Sequence, residues 1–244
     1  MNVIKLVNLT KEYKDVIAVD NLNLEIKENE LFSLLGVNGA GKTTTIKMLA
    51  GLVKPTSGDA IIYDKSINDE MSEIKKFIDI SMQETAIARK LTVEENIEFY
   101  ASINGLSKLE SENMKKYIFE CFGFDSVAKK QASKLSGGWQ RKLSIALALI
   151  SNPKVLFLDE PTLGLDVLAR REMWKIISSM KDKMTIILTT HYMEEAEYLS
   201  NRLGIMKEGK LLFVGTKEEL FLKTNKNSVE EAFVEIVTGG DLNV

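Results

Sequence analysis

The chain has a single cysteine and a single histidine in 244 residues. With no second thiol there is no internal disulfide, so packing alone must hold the fold. Cys121 falls on a helical apolar stripe with Met114, Ile118 and Phe122, which predicts a small buried core residue. Long hydrophobic runs are missing too: nowhere do about 18 uncharged apolar residues follow one another, the length a membrane-spanning helix needs. The first residues, MNVIKLVNLTKEYK, carry charge too early for a secretory signal. A chain that stays in the cytoplasm is therefore expected. Nor is there a surplus of positive charge, since 32 basic residues face 35 acidic ones for a formal charge of −3. Nothing is left over to neutralise a row of nucleic-acid phosphates, and no nucleic-acid partner is expected. Internal repeats, low-complexity tracts and coiled-coil insertions are likewise absent from the sequence.

What is present is 45% hydrophobic residues, enough for one large core or one core with a lobe. Short apolar strands alternate with longer amphipathic helices, the pattern of a mainly parallel sheet covered by helices on both faces. Residues 1–29 and 58–64 alternate instead with period two, predicting a small antiparallel sheet beside that core. Residues 92–131 read as helical, opening with a capping box of Thr92 and Glu95. The expectation is one α/β domain over 1–244. Its parts are a β subdomain with the first piece of the core (1–83), an inserted helical subdomain (84–135), the rest of the core (136–215) and a C-terminal helical extension (216–244). The last part carries a helix opened by a capping box of Ser228 and Glu231, with Val229, Phe233 and Ile236 on its apolar face.

The chemistry starts after the apolar strand ELFSLLG. Gly36-Val37-Asn38-Gly39-Ala40-Gly41-Lys42-Thr43 fits G-x-x-x-x-G-K-[ST] and stands where that motif requires, between a strand and a helix. Glycines let successive N–H groups turn into one concavity, and the following helix adds its positive end, so the loop cradles phosphates. Lys42 is placed to reach the outer phosphates, the Thr43 hydroxyl to ligate magnesium, and Thr44 to extend the binding loop into the helix. A second strand, VLFLDE, ends in Asp159 and Glu160. Asp159 would hold magnesium through water, while Glu160 could orient and deprotonate an attacking water. A base-reading N-K-x-D motif is lacking, because Asn225-Lys226-Asn227-Ser228 has no aspartate, which argues against a GTPase switch. Leu135-Ser136-Gly137-Gly138 then opens another helix with a hydroxyl and two amides free of side chains, a second anion site on the same chain.

These segments, with the Asp159-Glu160 pair and His191 after TIILTT, resemble the ATP-binding subunits of ABC transporters over essentially the whole chain. The resemblance implies a P-loop NTPase of RecA-like core that hydrolyses ATP with Mg2+. It implies two copies, or this chain and a related ATPase, sandwiching nucleotide so that each loop faces the other's LSGG segment. It assigns Tyr13 to adenine stacking, Gln83 to the neighbourhood of magnesium and water, and Ser136, Gly137 and Gly138 to the opposite γ-phosphate. Asp166 is assigned to contacts across the dimer and His191 to the γ-phosphate. Lys42, Gln83, Glu160 and His191 thus form the expected catalytic set, with Thr43, Gln83 and Asp159 around the metal. Trp139 stands where glutamine usually completes the signature, and Val167 where proline is frequent; Trp139 is expected to be a packing anchor at or near the interface.

The C-terminal half looks like the branch of single ATPase subunits that serve separate membrane subunits in bacterial exporters. Residues 84–105 are then the expected docking surface for that permease, which would hold the chain at the inner face of the cell membrane. Relatives that act on DNA or ribosomes usually carry two cassettes or a coiled-coil insertion, and this chain has neither.

Overall fold

The computed structural model describes residues 1–239. In chain order the strands and helices are β1 (Asn2–Tyr13), β2 (Val16–Lys27), β3 (Leu31–Leu35), α1 (Lys42–Leu49), β4 (Ser57–Ile62), β5 (Lys65–Ser66), α2 (Met71–Ile74) and β6 (Ile78–Ser81). There follow α3 (Val93–Ile103), α4 (Lys108–Phe122), α5 (Gly137–Ala148), β7 (Val155–Asp159), α6 (Val167–Met180), β8 (Thr185–Thr190), α7 (Met193–Leu199), β9 (Arg202–Lys207), β10 (Lys210–Gly215), α8 (Lys217–Thr224) and α9 (Val229–Thr238).

Every residue of β3, β7 and β8 is buried. Strands so uniformly apolar must be covered on both faces, and they form the parallel centre of a six-stranded sheet ordered β10-β9-β3-β8-β7-β6. Only the β9–β10 pair is antiparallel. β1 and β2 bury alternate residues instead, and they join β4 and β5 in a four-stranded antiparallel sheet ordered β2-β1-β4-β5. Ile4, Leu6, Leu24, Ile26 and Ile62 of this small sheet meet Ile46 and Leu49 of α1 and Phe32, Phe157 and Ile187 of the large one. A second core, on α5, α6 and the helical lobe, gathers Ile97, Ile118, Phe122, Leu143, Leu147, Leu156, Leu188, Met173 and Ile177.

The lobe leaves the sheet after β6 and returns at α5. Its α3 begins with the expected Thr92–Glu95 capping box, and an isolated bridge between Thr92 and Gln131 closes its base. Two further boxes, Ser107–Glu110 and Thr216–Glu219, start α4 and α8. At α9 only half of the expected box forms: the Ser228 hydroxyl accepts from the Glu231 amide. Its face packs Val229, Ala232 and Phe233 on Leu203, Ile205 and Leu220, with Ile236 at the margin. Residues 240–244 of the expected extension lie outside the described residues. Cys121 is half-buried rather than buried, because Ile118 and Phe122 take the inward face of α4. No described helix is long and apolar enough to cross a membrane.

Candidate active site

The phosphate loop is shaped by two glycines that accept no side chain. Gly41 lies at φ 102°, in the left-handed region, and a Cβ there would sit 2.3 Å from the Ala18 carbonyl oxygen. A Cβ on Gly36 would meet the Met206 carbonyl at 2.6 Å. The backbone therefore curls tightly from β3 into α1, whose N-terminus carries no side-chain cap and presents amides to an anion.

Lys42 lies beneath the loop and is almost wholly buried. Its Nζ donates to the carbonyls of Gly36 (2.6 Å) and Val37 (3.2 Å) and pairs with Glu160 Oε1 at 3.4 Å. Burial lowers its pKa, opposed by the carboxylates of Glu160 and Asp159. Both acids stand at the carboxyl end of β7, beside the end of β8. Asp159 Oδ1 accepts from Thr43 Oγ1 (2.9 Å) and Thr189 Oγ1 (2.6 Å), while its Oδ2 is buried without a hydrogen-bond partner. An orphaned carboxylate oxygen beside a threonine hydroxyl suits a divalent cation. Among the described residues no cluster of three or more His, Cys, Asp or Glu could hold a metal. The Thr43 hydroxyl and the unpartnered Asp159 oxygen fit Mg2+, which accepts one or two protein ligands and takes phosphate and water oxygens for the rest.

Glu160 sits at φ 50°, a conformation that costs a non-glycine residue about 1–2 kcal/mol. Its N–H lies 3.1 Å from both the carbonyl and the hydroxyl oxygen of Thr189, and its Oε2 is 2.7 Å from His191 Nδ1. A carboxylate only accepts, so His191 donates through Nδ1–H in this contact. Tyr192 packs on the His191 ring with centroids 4.1 Å apart, and Arg170 lies 4.2 Å over the Tyr192 ring.

Tyr13, Asn38 to Thr44, Gln83, Glu160, Leu163 and His191 line a single cleft of about 520 Å³. Gly36 and Val37 do not line it and touch it only through the carbonyls that Lys42 binds, and Asp159 lines an adjoining cleft with Thr43, Gln83 and Glu84. Tyr13 is exposed at the end of β1 with Lys11 Nζ 4.9 Å from its ring centre. Ser136, Gly137, Gly138 and Asp166 are not in this cleft. Ser136 caps α5 without using its hydroxyl, and it and Gly137 are exposed. The Asp166 carboxylate is engaged as the cap of α6, accepting from the amides of Leu168 and Ala169 at 2.9 Å each. Trp139 turns into the lobe, its ring centroid 5.9 Å from that of Phe124, with Lys142 Nζ 4.4 Å above it.

Three residues were not singled out by sequence. Thr189 holds both acids in place. Arg141, buried on α5, reaches the backbone at residues 82–83 and 159–161; burial lowers its pKa to about 10 against the pull of Asp159, Glu195 and Glu160, so it stays charged. Glu195 is buried with Oε1 bound by Thr162 (2.8 Å) and Trp174 (3.0 Å) and Oε2 unpartnered. The one signal available was the position of Arg141 on the same helix face as Ser144, Ile145 and Ala148.

A phosphate loop over a buried lysine, a Thr–Asp pair suited to magnesium and a Glu–His pair at the ends of neighbouring parallel strands define a P-loop ATPase. The comparisons narrow the class: the ABC transporter family matches residues 19–163, and the chain belongs to that family as an ATP-binding domain. It is 37% identical to the "Probable multidrug ABC transporter ATP-binding protein YbhF" of Escherichia coli over 98% of this chain and 42% of that protein. This chain thus spans less than half the length of that relative. Among solved structures it superposes at TM-score 0.85 and 26% identity on an ATP-binding subunit of an ABC transporter, covering 96% of this chain and 99% of the other. It also matches, at TM-score 0.79 and 28% identity over 87% and 98% of the two chains, a dimeric post-hydrolysis state of the ATP-binding cassette MJ0796 bound to ADP and Pi.

Proposed function

We propose that this chain is the motor subunit of a transporter that moves its substrate outward, firing only when two ATP-binding subunits close on shared nucleotide. The observation carrying this reading is a division of labour within the chain. One cleft collects Tyr13, residues 38–44 of the phosphate loop, Gln83, Glu160 and His191, while Ser136 and Gly137, exposed, and the half-buried Gly138 present an unused hydroxyl and bare amides elsewhere. A second anion site that does not face the first needs another chain to complete it. The dimeric relative bound to ADP and Pi supports that arrangement, and the multidrug name of the Escherichia coli relative supports export.

In this scheme Tyr13 stacks on adenine, residues 36–44 bind the phosphates and Lys42 reaches the outer ones. Thr43 and Asp159, with Gln83, hold Mg2+, whose charge offsets that gathering on the transferred phosphoryl oxygens. Glu160 takes the proton of the attacking water, and His191, fixed through Nδ1, turns Nε2 toward the γ-phosphate region. Ser136, Gly137 and Gly138 bind the γ-phosphate held by the partner, and Asp166, at the start of α6, keeps the neighbouring turn against the dimer seam. ATP closes the pair, closure pushes separate membrane subunits, and loss of the γ-phosphate link lets the pair reopen. The permease docks on residues 84–105, where Phe99 and Ile103 of α3 are exposed, and keeps the chain peripheral on the inner membrane face.

Glu160→Gln tests the core of this reading. Turnover should fall by roughly two to four orders of magnitude, as for a lost general base, while ATP binding persists and closed dimers accumulate in ATP. Near-normal turnover removes Glu160 from that role.

A further inference from the structure

Arg141 belongs to none of the segments to which sequence motifs assign a role, yet its guanidinium binds the backbone that carries Gln83 and Glu160 into the cleft. Nε donates to the Pro161 carbonyl at 2.9 Å, and Nη2 to those of Asp159 (2.6 Å) and Glu160 (2.9 Å). Nη1 donates to the Gln83 carbonyl at 3.1 Å and to that of Met82. Five carbonyls thus meet one planar, always charged donor group, a match that a lysine's single ammonium cannot reproduce. The side chain leaves α5 two residues after the first turn, which begins at Ser136, and it is nearly inaccessible to solvent.

The carbonyls it gathers come from the ends of the neighbouring parallel strands β6 and β7. Residues 82 and 83 follow β6 and carry Gln83 into the cleft; residues 159–161 follow β7 and carry Glu160. Glu160 also holds the left-handed backbone described above, and such a conformation persists only where its surroundings over-determine it. Thr189 fixes the Glu160 N–H and Arg141 fixes the carbonyls on either side. Resting on the proposed role of Glu160 as base, we infer that Arg141 is the positioning residue for hydrolysis: by clasping the backbone at 82–83 and 159–161 it aims the Glu160 carboxylate and ties that aim to the seating of α5. The Arg141 side chain thereby links the exposed Ser136 turn directly to the backbone of the catalytic carboxylate.

Arg141 touches no phosphate-loop atom and does not line the ATP cleft, so its loss should leave nucleotide affinity intact. Misplacement of a catalytic group by about 1 Å can cost on the order of a hundredfold in rate. Arg141→Lys, which keeps the charge, and Arg141→Met are the test variants. Both should lower kcat roughly ten- to a hundredfold with ATP Kd by calorimetry unchanged. Ile145→Val, a small loss of packing on the same helix, controls for stability: it should lower the melting temperature with kcat near wild type. Should Arg141→Met fail to fold, Arg141→Lys alone carries the comparison.

A double-mutant cycle then separates aiming from bulk stability. If Arg141 acts through Glu160, Arg141→Lys should not slow further the residual rate of Glu160→Gln, whereas independent effects would multiply. The inference is overturned if Arg141→Lys turns over at the wild-type rate, if kcat falls only in step with thermal stability as in Ile145→Val, or if the two losses multiply. A fast Glu160→Gln enzyme would instead sink the reading of Glu160 as base, an outcome distinct from these.

Discussion

Thr189→Val removes one hydroxyl from a fully buried strand and almost nothing else, since valine keeps the branched shape that β8 packs. Asp159 Oδ1 then loses the shorter of its two donors, at 2.6 Å, and keeps only Thr43 at 2.9 Å. The Glu160 N–H is less affected, because the Thr189 carbonyl remains 3.1 Å away. A hydrogen bond to a charged acceptor contributes about 1.5–3 kcal/mol. For a chain of this size each kcal/mol moves the melting temperature by about 2–4 °C, so roughly 3–12 °C should be lost. The freed carboxylate should also hold Mg2+ less well: about 1.4 kcal/mol of lost orientation corresponds to a tenfold rise in the Mg2+ concentration for half-maximal ATPase. Differential scanning fluorimetry and an ATPase titration against MgCl2 read the two effects. A melting temperature unmoved within about 1 °C together with an unshifted Mg2+ titration would refute the claim that Thr189 holds the metal-binding carboxylate in place.

Lys42→Ala should weaken ATP binding roughly ten- to a hundredfold, as for loss of a charge-assisted contact to phosphate, and unchanged affinity by calorimetry would count against the loop assignment. Glu195→Gln should flatten the pH dependence of stability. Burial raises the Glu195 pKa above the ordinary carboxylate range, against the hydrogen bonds from Thr162 and Trp174. Between the unfolded and folded pKa values the native state therefore binds more protons than the unfolded one, so stability falls as pH rises through that window. Thermal melts of wild type and variant from pH 4 upward check this, and parallel curves would show that Glu195 is not the group responsible.

The fold was largely readable because its signals are steric. Uniform burial of LFSLL, VLFLD and TIILTT demanded a sheet covered on both sides, and alternation in β1 and β2 demanded one with an exposed face. The phosphate loop was readable for the same reason, since Gly36 and Gly41 stand where backbone carbonyls leave no room for a Cβ. Residues that work through partners distant in sequence were not. Thr189 looks like an ordinary β-branched strand residue until β7 lies beside it. Arg141 sits in a polar run, Gln140-Arg141-Lys142, that reads as a solvated helix start, and Glu195 among acids in Glu194-Glu195-Ala196-Glu197. In both runs, tertiary packing decides which charge turns inward. Trp139 is the packing anchor expected of it, and its partner is Phe124 of the lobe, which the linear spacing of the two residues does not suggest.

The account rests on nucleotide being completed between two chains, and the direct measurement is ATPase rate per molecule of purified protein across serial dilution, with mass followed in parallel by light scattering. The rate should fall as dilution separates the subunits, and the species present with ATP should approach twice the monomer mass in the Glu160→Gln variant. A protein that stays monomeric with nucleotide and hydrolyses it at a rate per molecule independent of concentration would contradict the account.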